Sequence, residues 1–330
     1  MKKILKKISV RFVGCLLVSA LIACSSQRPQ SEVLASADNL RARSQAVFNS
    51  PDVDYVLSYR SLSLLRDFDV VVDSVQQLAD QKSTLTCFAT QEVTGLFVCV
   101  GNNKAAQHIP LNRAAIFTES RPSLGVLQSR VVVSPEQSES GYEASSGHDL
   151  TEQHLKDFFI ALRDRCPDAS CILPGEMTFA QEVMPAFERI YPYGYSVVSV
   201  DISSGEQLKQ ALAHELSHGQ YFQIPQYRAA VYSFWNALSP EIRIAASDIL
   251  SQSYEKANVD LIINEFHAFT LDSKFADIPS DYLRQLEQSD PKQAAALALL
   301  SQNSAAVREA LLASLSSAVP LILYEKILGR

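Results

Sequence analysis

Two histidines and a glutamate in one short stretch, His214-Glu215-Leu216-Ser217-His218, are the residues whose types and spacing point most directly to chemistry. A spacing of four is close to one helical turn. On a helix both imidazoles then share a face and can offer nitrogens to one zinc ion at about 2.0–2.1 Å. Glu215 lies beside the first of them, where its carboxylate reaches a water on that ion without ligating it. Zinc acidifies such a water, and the glutamate takes the proton as the oxygen attacks a carbonyl. The pattern predicts metal-assisted hydrolysis, with His214 and His218 as Zn2+ ligands and Glu215 as general base.

A catalytic zinc keeps three protein ligands and one open position. Ile224 stands six residues after His218, so the third ligand is not on the same run. Further along, residues 258–269 place Glu265 among Leu261, Ile262, Ile263, Phe266 and Phe269. An acid in that company is expensive to bury unless it is paired or bound to a metal. His267 is a rival on a different face of the same helix, and Asp260 a lesser one. An HExxH helix followed 47 residues after His218 by Asn264-Glu265 resembles the gluzincins, the thermolysin-like clan of zinc metallopeptidases, over about residues 195–275. The resemblance implies Glu265 as third ligand and a protein or peptide as substrate. It also implies a cleft lined by strand 196–202, to which substrate would add as a further strand. Thermolysin-like enzymes place an aspartate four residues after the glutamate to orient a zinc histidine. Phe269 stands at that position, so a histidine's partner must come from elsewhere. A donor for the developing oxyanion is needed too, and Tyr221, Tyr227, Tyr232 and Tyr254 are candidates. His108, His148 and His154 have no ligand spacing and read as surface or loop residues.

The elements that must position these groups follow from periodicity. Leu208, Ala211, Leu212 and Leu216 predict a helix over 204–222 that carries the HExxH. Helices are also expected over 150–165 and 178–190, the second stopped by Tyr191-Pro192-Tyr193-Gly194, with strand 196–202 after it. From 204 onward the period is almost wholly helical, and the Ala- and Leu-rich segments 292–301 and 304–319 close a bundle against the catalytic helices. Upstream, β-branched runs at 69–72, 85–89, 95–100, 115–118 and 129–133 read as strands, and 134–148 as an exposed loop. The expectation is an α+β protein: a small β-containing N-terminal region, 46–148, and a zincin-like region dominated by helices, 149–330.

Composition bounds the setting. A basic start (Lys2, Lys3, Lys6, Lys7) and an apolar stretch, 10–22, form a signal peptide over residues 1–24. Its end, Leu21-Ile22-Ala23-Cys24, resembles the lipobox of bacterial lipoproteins. That resemblance implies lipidation of Cys24, a polar tether over 25–45, and a place on the periplasmic face of the outer membrane, since no aspartate follows the cysteine. Without residues 1–24 the chain has 24 basic and 36 acidic residues, a net charge of −12, which argues against nucleic acid as partner. Cys87, Cys99, Cys166 and Cys171 are even in number in an exported chain and read as disulfides, the two local pairings costing least loop closure. A different class of function stays open: a non-catalytic, zinc-stabilised envelope lipoprotein acting as scaffold or assembly factor, its site closed by four ligands.

Overall fold

A computed structural model describes residues 53–77, 82–119, 147–168, 171–276 and 278–329. The signal peptide, Cys24, the tether and the strand expected at 129–133 lie outside these residues. The chain is α+β, as its pattern implies. In order it forms β1 (Asp54–Leu62), α1 (Leu64–Gln76), β2 (Thr84–Thr90), β3 (Leu96–Gly101), α2 (Lys104–Glu119), β4 (Gly147–Thr151) and α3 (Glu152–Arg165). Then come α4 (Pro174–Thr178), a π-helical turn (Phe179–Val183), α5 (Met184–Ile190), β5 (Ser196–Asp201), a 3-10 stretch (Ile202–Gln207) and α6 (Leu208–Gln223). The rest is helical: α7 (Pro225–Ala237), α8 (Pro240–Leu250), α9 (Val259–Leu271), α10 (Ser280–Ser289), α11 (Pro291–Ala318) and α12 (Leu323–Ile327).

The five strands make one mixed sheet in the order β1-β2-β3-β5-β4. β1 with β2 and β3 with β5 run parallel; β2 with β3 and β4 with β5 run antiparallel. β4 and β5 join the strands that precede them, so the sheet continues across residue 148. The strand expected before the HExxH is present as β5, but it is interior. The edge strand is β4, which corrects the expectation that substrate adds to 196–202 as a further strand. Strand alternation sorts the core into two layers. Phe97, Cys99, Leu150 and Val197 pack with α2, α3 and α5 on one face. Leu96, Val98, Val100, Val198 and Val200 pack with α1, α6 and α12 on the other. A third apolar cluster holds α7, α8, α9 and α11 together around Phe234, Trp235 and Phe266.

Two expected strands are helices. Val70–Val72 lies in α1, where Leu64, Phe68 and Val75 share the buried face and Val70 is exposed. Residues 115–118 form the last turn of α2. Apolar runs of four residues fit either period, and helical burial of the flanking residues decided both. The end of the expected 134–148 loop is also regular, since 147 and 148 open β4. Both local disulfides are present. Cys87 and Cys99 face each other directly across β2 and β3 beyond a turn at Gly95, whose φ of +85° suits glycine. Cys166 and Cys171 close the loop after α3. Among the described residues, no helix is long and apolar enough to cross a membrane.

Candidate metal centre

α6 carries the HExxH, and the sheet fixes its position. Leu208, Leu212 and Leu216 bury into the layer over β3 and β5. Gly219 brings the helix close: a Cβ there would stand 2.7 Å from Leu96 Cδ1. Gln220 pins the far end, its Nε2 donating to Leu321 O and its Oε1 accepting from Leu323 N, each at 3.0 Å. The opposite side of α6 faces α9, whose start is capped by the Asn258 side chain accepting from Leu261 N.

His214, His218 and Glu265 converge between these two helices. His214 Nε2 and His218 Nε2 are 3.3 Å apart, and Glu265 Oε2 lies 4.0 Å from His218 Nε2. One ligand atom from each of the three lies within 4.8 Å of the others. Nitrogens bound to one tetrahedral ion at about 2.0–2.1 Å must be about 3.3–3.4 Å apart, so the histidine pair already has the required separation. The far sides of the rings are also provided for. His214 Nδ1 faces Asp272 Oδ2 at 3.6 Å, and His218 Nδ1 faces Asp149 Oδ2 at 3.7 Å. A carboxylate at Nδ1 holds the proton there and leaves Nε2 a lone pair. Two such lone pairs at 3.3 Å repel unless a cation lies between them. The residues present fit a metal ion.

Glu215 is buried beside this group, its carboxylate against the backbone of β4 at Gly147. Asp149, Glu215 and His218 form a second, overlapping set of potential ligand atoms. Carboxylates crowd here, and the crowding alters their acidity. Burial raises Glu215 well above the usual range, with Asp149, Glu265 and Asp272 adding to it. Glu265 is pushed up to about 7 by burial, opposed by His218 and by a hydrogen bond from Tyr254. Burial pushes Asp149 up to about 8. Glu119, buried at the end of α2, is raised by burial and then by Asp149, Glu265 and Glu215. A dication among them reverses this logic and favours every carboxylate's ionised form. His214 is lowered by burial, against the pull of Asp272.

The rival ligands lie outside this group. His267 stacks flat on Tyr221, with ring centroids 5.4 Å apart, and meets Tyr227 and His218 edge-on. Asp260 accepts from Tyr221, from Tyr232 Oη at 2.6 Å and from Arg228 Nη2 at 2.7 Å. That network also occupies two of the four candidate oxyanion donors, and Tyr227 is fully buried. Tyr254 hydrogen-bonds Glu265. Three further histidines are not surface or loop residues. His108 and His148 are buried on the other face of the sheet with ring centroids 5.0 Å apart, and His154 belongs to the capping box of α3.

Four residues of the site had escaped sequence reasoning. Asp272 had a signal: it lies seven residues after Glu265, two turns along one face. Gly147, Asp149 and Glu119 had none, since they come from separate elements far upstream. No protein-family model, curated protein or solved structure matches the chain.

Proposed function

We propose that the chain is a zinc-dependent hydrolase of the metallopeptidase type that cleaves peptide bonds of periplasmic or envelope proteins. The supporting observation is the convergence of His214 Nε2, His218 Nε2 and Glu265, with each histidine's Nδ1 turned to a carboxylate. Among the described residues the group has three members, which favours a site with an open position over a closed structural one. Zinc held there supplies a Lewis acid and acidifies a water.

The chain's own groups do the rest. Glu215 accepts the proton of the attacking water and passes it to the amine as the C–N bond breaks. Its place beside His214, buried against Gly147, suits that exchange. Asp272, beside His214 Nδ1, holds that imidazole in one tautomer. Tyr254, hydrogen-bonded to Glu265, steadies the third ligand. The N-terminal pattern supports export, lipidation at Cys24 and attachment to the periplasmic face of the outer membrane.

Metal analysis of the detergent-solubilised chain tests the ligand set. One zinc per chain is expected, lost in Glu265→Ala and kept in His267→Ala; zinc kept in Glu265→Ala would remove Glu265 from the site.

A further inference from the structure

Strand β4 touches both halves of the HExxH, through residues that a metal-binding motif does not contain. Side chains alternate along a strand, so Gly147, Asp149 and Thr151 share one face and His148 and Leu150 the other. Leu150 lies in the layer with α2 and α3. The first face therefore turns toward α6. Pairing of Gly147 with Val200 and of Asp149 with Val198 fixes the height of β4 beside the helix.

At that height two contacts fall in step. Gly147 to Asp149 spans about 6.6 Å of strand, and Glu215 to His218 about 4.5 Å of helix. Asp149 Oδ2 stands 3.7 Å from His218 Nδ1, within ion-pair but not hydrogen-bond reach, and that buried nitrogen has no hydrogen-bond partner. The other ring is served from a different element, by Asp272 at the end of α9. At Gly147 the contact is with the base itself. A Cβ built there would stand 2.2 Å from Glu215 Oε1, 2.4 Å from its Cγ and 2.5 Å from its Cδ. All three nearest atoms belong to Glu215, so the missing side chain is the space its carboxylate occupies. Glycine is needed here for close approach.

We propose that β4 is the third structural element of the centre and that it carries two positioning residues. Asp149 fixes the tautomer and angle of the His218 ring, and Gly147 provides the seat that aims the Glu215 carboxylate. The inference rests on the zinc-hydrolase reading for its chemistry, but each half has a readout that needs no substrate.

The test uses the full-length chain in detergent. Zinc affinity is measured by competition with a chromophoric chelator, and ligand geometry by the visible spectrum of the cobalt-loaded protein. Asp149→Asn keeps the volume and removes the charge; a 10–100-fold loss of zinc affinity with an altered cobalt spectrum is expected, in the range typical of lost outer partners. Wild-type affinity and an unchanged spectrum would overturn the role of Asp149. For Gly147 the measurement is a thermal double-mutant cycle with Glu215. Gly147→Ala should lower Tm when Glu215 is present and leave it unchanged in a Glu215→Ala background, where the conflicting atoms are gone. An equal loss of Tm in both backgrounds would show that Gly147 serves the fold alone. If wild type binds no metal while the cycle still shows coupling, the zinc reading fails and the seat at Gly147 stands.

Discussion

Two buried clusters, one on each face of the sheet, solve the burial of carboxylates in opposite ways. On the α2 side, Glu176 Oε2 accepts from Arg113 Nη1 at 2.9 Å and from Leu173 N at 3.0 Å. The same arginine nitrogen donates to Cys171 O, tying in the small disulfide loop. Burial pushes Glu176 up to about 7, and Arg113 opposes it. On the α6 side, Glu265 is pushed up to the same range, but its surroundings differ. Among the described residues, no lysine or arginine pairs with Glu119, Asp149, Glu215 or Glu265. Lys274, half-exposed, reaches Asp272 alone at 3.4 Å. A buried acid with its own arginine is a structural device. Buried acids without a protein cation, gathered round two imidazoles, point to a cation from outside.

The largest effect should come from Glu215→Gln, which on the proposed mechanism lowers turnover of a peptide substrate by about 10²–10⁴-fold with zinc content unchanged. Retained turnover in the metal-loaded variant would remove the general-base role. On the other cluster, Arg113→Met leaves Glu176 buried and unpaired and should cost about 3–5 kcal/mol in denaturant unfolding. It should leave zinc stoichiometry at one per chain; loss of zinc there would break the separation of the two clusters. Removing the metal with a chelator should destabilise the wild type by about 3–4 kcal/mol relative to zinc at 100–1,000 times its Kd, and leave Glu265→Ala nearly unaffected. Equal melting with and without chelator in both proteins would argue that no metal balances the carboxylates. The smallest effect belongs to Lys274→Met, which is exposed enough to cost under about 1 kcal/mol. A larger loss would mean that Lys274 neutralises the cluster after all.

Much of the centre was readable from local pattern. His214, Glu215 and His218 sit on one helix, so the 3.6-residue period alone brings the two rings together. Glu265 stood out as an acid among apolar neighbours, and α9 buries it where His218 can meet it. Both disulfides followed from the shortest loops. Elsewhere local pattern misled. The β-branched Val70–Val72 run is helical, because Leu64, Phe68 and Val75 bury as one face. His148 carried no sign of burial, yet it lies in the sheet.

By itself the sequence determined what depends on neighbours along the chain: the HExxH face, Glu265 among apolar neighbours, the two local disulfides, the helical character beyond 204. Tertiary structure alone decided what depends on strand order. Placing β5 between β3 and β4 made the 147–151 segment the edge beside α6, and so put Asp149 against His218 and Gly147 against Glu215. Those contacts join residues more than 60 positions apart. No periodicity spans such a distance, because pairing between strands is set by the packing of the whole sheet and not by the propensity of any one segment.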